Sequence, residues 1–294
     1  MTHRALRATE HRDRPLPGRR WAMSMRWTDL LFMHWPIEPD VMRDAVPGDF
    51  DLDLYEGKAW LGVVPFKMNS TRPRFCPPIP QKLMQTSPSS FPELNVRTYV
   101  TINVKENGLT RQVPGVFFFS LDAASKSAVR MARLGFNLPY FDAKMQFRQE
   151  DGWTHYQSQR THYGASPAHF AASYRPKPKK SVYRDADEPS TTPKRVAQVP
   201  DDSGHSLTRR AQTSQPGSLA YFLTERYRLF TLGRKGRGVR IGEIAHEPWP
   251  LQEAECEVSV CEMVNGLGFD LPSRDPVLHY ADKLDVVAWL PKRV

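Results

Sequence analysis

The chain has 294 residues, of which 40% are hydrophobic, and it carries a formal net charge of +9. This length is enough for one large domain or two small ones with a sizeable core. No apolar run approaches the roughly 20 residues that a membrane-spanning helix needs, so no membrane partner is expected. The three cysteines lack CxxC spacing, which argues against a disulfide framework and a zinc ribbon and favours a reducing, cytoplasmic setting.

The positive charge is concentrated in two segments that are poor in large apolar residues. Residues 1–20 contain six arginines and two acidic residues, and residues 175–212 contain nine basic and five acidic residues. Because such a composition is typical of disorder, we predict a flexible basic tail at 1–20 and a disordered insert at 175–212, within a single domain at 21–294. A specific nucleic-acid reader carries its basic patch on the fold itself, so no such partner is expected.

Short apolar β-runs dominate the ordered part of the sequence. In the first half, Trp27–Trp35 is apolar and aromatic, and Ala59–Phe66 forms a strand that Pro65 is predicted to end. The proline-rich residues 68–91 are predicted to be a loop over a cavity mouth. Further along, Asp151-Gly152 joins two strand-like runs and predicts a hairpin.

The most informative stretch is residues 91–122, in which two β-runs flank a predicted polar turn from Lys105 to Pro114. Side chains of a strand alternate between two faces, so the first run predicts one mainly apolar face and one hydrogen-bonding face. The first face contains Val96, Thr98, Val100 and Ile102. The second face contains Asn95, Arg97, Tyr99 and Thr101.

Arg97 has two interpretations. It lies in the middle of its strand, and charged residues usually face solvent, so an exposed sheet surface is one interpretation. The other is an arginine that points into a cavity, where its planar fork binds a carboxylate. Many short, mostly antiparallel strands with a few short helices predict an α+β protein built on a curved sheet or barrel.

Few residues outside this stretch suggest chemistry. The histidines show no metal-binding spacing, although His34 and His246 lie beside aromatic residues, and no metal site is predicted. No phosphate loop is present, and no cofactor is expected. Acid/base candidates are the carboxylates that lie near element ends with apolar neighbours, while a helix cap for Asp122 and surface ion pairs for the others are the alternatives. These carboxylates are Glu93, Asp122, Glu225 and Glu243.

Several long motifs, in order along the chain, resemble those of the YqjF-like family of uncharacterised proteins, which is thought to share the acetoacetate decarboxylase-like fold. They are HWPIEPDVMRDAVP, AWLGVVPFKM, FPELNVRTYV, GVFFFSLDAAS, FNLPYF, GSLAYFLTERYRLF and EIAHEPWPLQEAE. The resemblance covers roughly residues 21–289. It implies a cone-shaped antiparallel barrel with an interior cavity into which Arg97 points.

The resemblance does not extend to decarboxylase chemistry. In FNLPYF, Tyr140 stands where the Schiff-base lysine of the decarboxylase is expected, Phe141 stands where its partner lysine is expected, and Lys144 comes four residues later. We therefore expect no Schiff-base decarboxylase.

Three hypotheses follow from the sequence. The favoured one is a cavity protein that binds or transforms a small organic acid or similar polar molecule. In it Arg97 binds the anion, Glu93 or Asp122 serves as acid/base, and further side chains line the site. These are Asn95, Tyr99, Tyr140 and His34. The alternatives are a non-catalytic binding or sensing module with the same cavity, and an interaction protein that uses its basic segments. The sequence does not decide whether the chain forms a homo-oligomer.

Overall fold

The computed structural model describes residues 3–76, 89–106, 108–177, 214–233 and 236–294. Apart from residues 175–177, the predicted insert lies outside the described residues. The strands are β1 (Met23–Ile37), β2 (Asp51–Leu52), β3 (Ala59–Pro73), β4 (Phe91–Glu106), β5 (Leu109–Ala123), β6 (Tyr140–Glu150), β7 (Trp153–Arg160), β8 (His169–Pro176), β9 (Arg228–Leu232), β10 (Val239–Ala245), β11 (Leu251–Gln252), β12 (Ala254–Cys261) and β13 (Val277–Arg293). The helices are α1 (Pro39–Ala45), α2 (Lys126–Gly135) and α3 (Leu219–Thr224).

Seven of the strands pair in a closed ring. The order is β4, β3, β1, β13, β10, β9 and β5, and β5 pairs again with β4. All these pairs are antiparallel except the short β5–β9 contact, which is parallel. A second antiparallel layer, β6–β7–β8–β12, continues from the end of β5. The fold is therefore a mostly-sheet α+β structure with a few short helices, as the sequence predicts.

Strand β4 is buried on both of its faces, because alternate residues contribute to different apolar clusters. Leu94, Val96 and Val100 pack in a cluster that includes Tyr156 and Phe170 of the second layer. Glu93, Asn95, Arg97 and Tyr99, which we call the polar face of β4, are buried as well. The alternation predicted from sequence is confirmed, and Arg97 is not a solvated surface residue.

Two predicted chain breaks are wrong. Strand β3 continues through Pro65 to Pro73, because β1 has a bulge opposite Pro65, between Thr28 and Met33. Proline has no N–H to donate, and a bulge tolerates this because the hydrogen-bond ladder is interrupted there. The predicted polar turn from Lys105 to Pro114 is much shorter, since β4 runs to Glu106 and β5 starts at Leu109. The Asp151-Gly152 hairpin between β6 and β7 is confirmed, and both residues have the positive φ that this turn requires.

The N-terminal segment, residues 3–20, packs on the sheet instead of forming a flexible tail. Ala5 is buried with Ala245, Val287 and Trp289 of β10 and β13. The Arg12 guanidinium lies 4.4 Å from the centre of a tyrosine ring and donates to a backbone carbonyl oxygen. A few apolar and cationic anchors are enough to hold this segment on the sheet. The amino-acid composition, which gives only the average polarity of the segment, does not reveal such anchors. Within the described residues, no helix has the length and apolarity to cross a membrane.

Candidate functional site

Three neighbouring strands place His34, Gly62 and Arg97 in one row. In the register, His34 of β1 lies opposite Gly62 of β3, and Gly62 lies opposite Arg97 of β4. Opposite residues of antiparallel strands project to the same face, so the histidine and arginine side chains share the space above the glycine. A Cβ atom on Gly62 would lie 3.1 Å from the His34 ring and 3.3 Å from Cγ of Arg97. The missing side chain therefore makes room for both.

Arg97 is a buried cation that has no carboxylate partner among the described residues. It is 9% exposed, and none of the described carboxylates comes within 4.0 Å of its guanidinium. Its Nη2 donates to the carbonyl oxygen of Leu223, 3.1 Å away, and its guanidinium carbon lies 5.4 Å from the centre of the Phe32 ring. Nε has no hydrogen-bond partner among the described residues. Burying an unpaired charge is costly, so this environment favours an anionic ligand.

Tyr99 connects Arg97 to His34. The Tyr99 hydroxyl lies 2.7 Å from the carbonyl oxygen of Leu223, 2.7 Å from Nε2 of His34 and 3.4 Å from Nη2 of Arg97. A carbonyl oxygen only accepts, so the tyrosine proton goes to Leu223 and Nε2 of His34 donates to the tyrosine oxygen. Burial and the nearby Arg97 charge lower the pKa of His34 well below its usual value. His34 is therefore a neutral imidazole whose Nδ1 is an unprotonated acceptor with no hydrogen-bond partner among the described residues.

Glu93 and Tyr140 form a buried hydrogen-bonded pair. The Tyr140 hydroxyl donates to Oε1 of Glu93 at 3.0 Å, and both side chains are buried. Burial raises the pKa of Glu93 to about 8, and the hydrogen bond from Tyr140 acts in the opposite direction. At neutral pH the carboxyl group therefore keeps its proton, and its Oε2 has no hydrogen-bond partner in the described part of the chain. A protonated carboxyl group with one uncommitted oxygen is suited to general acid/base chemistry.

Unpaired polar atoms recur at alternate positions of β4. Oε2 of Glu93, Oδ1 of Asn95 and Nε of Arg97 are all buried and lack a partner within the described ranges. Most buried polar groups in proteins are hydrogen-bonded, so three exceptions on one strand face need an explanation. A ligand that binds along this face would satisfy them.

Aromatic side chains connect the two ends of the polar face. Phe32 stacks on His34 with the ring planes 12° apart and meets Trp249 edge-on at 4.9 Å. Trp249 stacks on Trp27, which in turn contacts Phe66, the register neighbour of Glu93. These rings give the site an apolar wall beside its polar strand, as is usual for small-molecule sites.

His246 belongs to the same aromatic group. Its ring centre lies 5.1 Å from that of Trp249 and 4.8 Å from that of Tyr227. Burial lowers the pKa of His246 to about 3, and Nδ1 lies 2.7 Å from the carbonyl oxygen of Glu247. Nδ1 therefore carries the proton, and Nε2 is an unprotonated acceptor with no partner in the part of the chain that the structure describes. None of the described His, Cys, Asp and Glu residues form a group of three that could hold a metal ion.

Asp122 does not lie with the residues on the polar face of β4. In the register it is opposite Leu94, so it projects to the face of the sheet that Glu93 does not use. Its carboxylate is bound by Nε and Nη2 of Arg160 at 2.7–3.1 Å. Burial raises the pKa of Asp122, and the arginine acts in the opposite direction. The helix cap considered for Asp122 is wrong, because Ser125 caps α2.

Sequence reasoning missed several members of the site. Gly62 had a recognisable signal, since an isolated glycine in an apolar strand often marks a close approach. Phe32 and Trp249 look like ordinary core residues in the sequence, and the contribution of Leu223 is a backbone carbonyl. No sequence pattern identifies a carbonyl oxygen 126 residues away from Arg97 as its hydrogen-bond acceptor.

The chain resembles proteins of known sequence over most of its length. The family model DUF2071, described as "Uncharacterized conserved protein (COG2071)", matches residues 24–285. The uncharacterized protein YqjF of Bacillus subtilis (strain 168) is 37% identical over 274 residues, which are 93% of each chain.

Two solved structures are similar in fold at low sequence identity. The acetoacetate decarboxylase of Legionella pneumophila subsp. pneumophila str. Philadelphia 1 has a TM-score of 0.50 and 12% identity, with 95% of this chain and 92% of that chain covered. The enduracididine biosynthesis enzyme MppR, complexed with pyruvate, has a TM-score of 0.50 and 10% identity, with 92% and 90% covered. These likenesses support the acetoacetate decarboxylase-like fold that the sequence motifs imply.

Proposed function

The chain belongs to the DUF2071 family, and on that premise we propose that it binds a small organic acid on the polar face of β4. In this proposal the ring of seven strands is a cone-like β-barrel with the site in its interior. The observation that carries the proposal is Arg97, a buried cation with an unpaired Nε and no carboxylate partner among the described residues. Its planar fork matches a carboxylate, which would supply the missing charge.

The remaining polar groups divide into two roles. Glu93 is the acid/base group, because its raised pKa leaves a proton on a buried carboxyl group at neutral pH. Tyr140, Asn95 and His34 provide hydrogen bonds that orient the ligand, and Tyr99 holds His34 and Arg97 in place. In a strand, Arg97 and Glu93 are four residues apart, or roughly 13 Å between Cα atoms. The carboxylate end of the ligand then lies at Arg97, and the group that exchanges a proton lies towards Glu93.

The ligand class has independent support from the fold. MppR, which shares this fold, has been solved with pyruvate, itself a small organic acid. We transfer the ligand class and not the reaction. The lysine of a Schiff-base mechanism is replaced here by Tyr140, and the buried charged side chains of the described residues include no lysine.

A non-catalytic binding or sensing module is the second candidate. The observation that favours it is the same replacement, since a tyrosine hydrogen-bonded to a carboxyl group is a poor nucleophile compared with a desolvated lysine. In that case Glu93 donates a hydrogen bond to the ligand but never transfers its proton. Asp122 has no part in either candidate unless its ion pair with Arg160 opens.

A thermal-shift screen with a panel of small carboxylates tests the proposal. A ligand at a hundred times its Kd stabilises the protein by about 2.7 kcal/mol, which produces a clear shift in Tm. The shift should be absent in Arg97→Met and unchanged in Arg148→Gln, which removes an exposed arginine of β6. A folded Arg97→Met variant that shows the wild-type shift would refute Arg97 as the anion anchor.

Turnover separates the two candidates. Any acid that stabilises the protein is incubated with it and followed by proton NMR. An enzyme converts or deuterates the acid, and Glu93→Gln abolishes this while Arg148→Gln does not. An acid that binds through Arg97 and stays chemically unchanged over days in deuterated buffer supports the binding module.

A further inference from the structure

A second site candidate lies at the end of β4 and β5 that is far from Glu93. The N-terminal segment, the start of β5 and the last residues of β13 enclose two adjoining clefts there. The first has a volume of about 470 Å³, and the second has about 570 Å³. Both are lined by Arg14, Glu243 and Lys292. The two clefts therefore lie side by side and share part of their lining, and we call them together the basic cleft.

The basic cleft has a strong excess of positive charge. Among the described residues, seven cationic side chains line it, against the two side-chain carboxylates of Asp13 and Glu243. The cationic residues are Arg14, Arg19, Lys105, Arg111, Arg228, Lys292 and Arg293.

Both carboxylates are already engaged with cations. Asp13 accepts two hydrogen bonds from Arg228, at 2.7 and 2.9 Å, and a carboxylate oxygen of Glu243 lies 3.7 Å from a nitrogen of Arg19. Arg111 and Lys292 are exposed, and none of the described carboxylates lies within 4.0 Å of either. The cleft thus presents cationic groups that its own acidic residues do not neutralise.

The N-terminal wall of the basic cleft is anchored. The buried Arg228 holds Asp13, and Nη1 of Arg12 donates to the carbonyl oxygen of Ile244 at 2.8 Å. Beyond these anchors, Pro15, Pro17 and Gly18 also line the first cleft. Although the composition of the N-terminal segment is typical of disorder, these anchors place its arginines on the wall of a folded, concave surface.

We propose that the basic cleft binds a small phosphorylated molecule with two or more phosphate groups. The volume of each of its two clefts lies within the ~300–1,000 Å³ typical of small-molecule sites. Guanidinium groups bind phosphate oxygens in pairs, and an exposed lysine adds a point charge. The concave shape suits a compact anion, whereas an extended nucleic acid fits a basic stripe along the surface.

The basic cleft is separate from the organic-acid site. Lys105 lies eight residues beyond Arg97 on the same strand, which corresponds to roughly 26 Å. Either site can therefore fail without affecting the other. A variant of the cleft should leave the response to small carboxylates unchanged.

Calorimetric titration with inorganic pyrophosphate tests the proposal. The wild type should bind it, with an affinity that falls as the salt concentration rises, and the double variant Arg111→Glu/Lys292→Glu should bind at least tenfold more weakly. Lys144→Glu changes the charge of an exposed lysine of β6 and is the control, which should bind like the wild type. Circular dichroism verifies that each variant is folded, and Arg111→Gln/Lys292→Gln replaces the double variant if charge reversal unfolds it.

Two results would overturn the proposal. One is no measurable binding of pyrophosphate by the wild type, or equal binding by the wild type and the folded double variant. The other is tighter binding of a single-stranded oligonucleotide than of pyrophosphate at the same salt concentration, if the double variant loses that binding. This result would identify the cleft as a nucleic-acid surface.

Discussion

The hydroxyl group of Tyr140 lies 3.0 Å from Oε1 of Glu93, although 47 residues separate the two in the chain. The hydrogen bond joins the start of β6 to β4, next to the parallel contact of β5 with β6. It leaves Oε2 of Glu93 as the buried oxygen without a partner in the described part of the chain. A tyrosine in this position holds the carboxyl group in place and cannot form a Schiff base.

The ionisation of Glu93 should be visible as a pH dependence of stability. The unfolded side chain loses its proton near its usual pKa of 4.5, whereas the folded one keeps it up to about pH 8. Folding therefore takes up one proton between these values, and the free energy of unfolding falls by roughly 1.4 kcal/mol per pH unit as the pH rises. Urea unfolding of the wild type and Glu93→Gln from pH 5 to 9 measures this, and the variant should lack this component.

Tyr140→Phe provides a second test of the same pair. Its hydrogen bond lowers the pKa of Glu93, so without it the carboxyl group should keep its proton to a higher pH. The falling part of the stability profile should then extend further into alkaline pH. Identical profiles for the wild type, Tyr140→Phe and Glu93→Gln would show that Glu93 is ionised at neutral pH and is no proton donor.

Gly62→Ala should weaken the anion site through crowding. The new methyl group would lie within 3.3 Å of both the His34 ring and Cγ of Arg97, so at least one of them must move. Overpacking of this kind costs about 1–3 kcal/mol, measured as a lower urea midpoint, and the carboxylate-induced Tm shift should shrink. Gly48→Ala is the control, since, apart from its chain neighbours, no atom of the described residues lies within 4 Å of its added Cβ. A Gly62→Ala variant with wild-type stability and binding would contradict the shared space above Gly62.

The sequence predicted the polar face well because strand alternation is a local property. Period two placed Asn95, Arg97 and Tyr99 on one face, and all three are buried together. The sequence failed where a partner strand decides the outcome. Strand β3 continues through Pro65 because β1 bulges opposite it. The bulge lies at Asp29 of β1, which has a positive φ, so the sequence of β3 does not reveal it. The same limitation hid the partner of Asp122, which lies 38 residues away.

Asp122→Asn should cause a loss of stability and not of a specific chemical step. The pair with Arg160 is buried, with 0% and 9% side-chain exposure, and breaking such a pair costs about 3–5 kcal/mol. Glu38→Gln breaks the exposed pair with Lys58 and should cost under about 1 kcal/mol. Denaturant unfolding measures both. A stable Asp122→Asn variant that no longer responds to carboxylates would instead place Asp122 in the site.

A matched pair of ligands tests whether Arg97 recognises the charge of the ligand. Calorimetry compares the best-binding carboxylic acid of the screen with its primary amide, which has nearly the same shape but no charge, in the wild type and in Arg97→Met. We expect the wild type to bind the acid at least tenfold more tightly than the amide, and Arg97→Met to lose this preference. Equal affinity for acid and amide in the wild type, or an unchanged preference in a folded Arg97→Met, would show that Arg97 does not recognise the charge of the ligand.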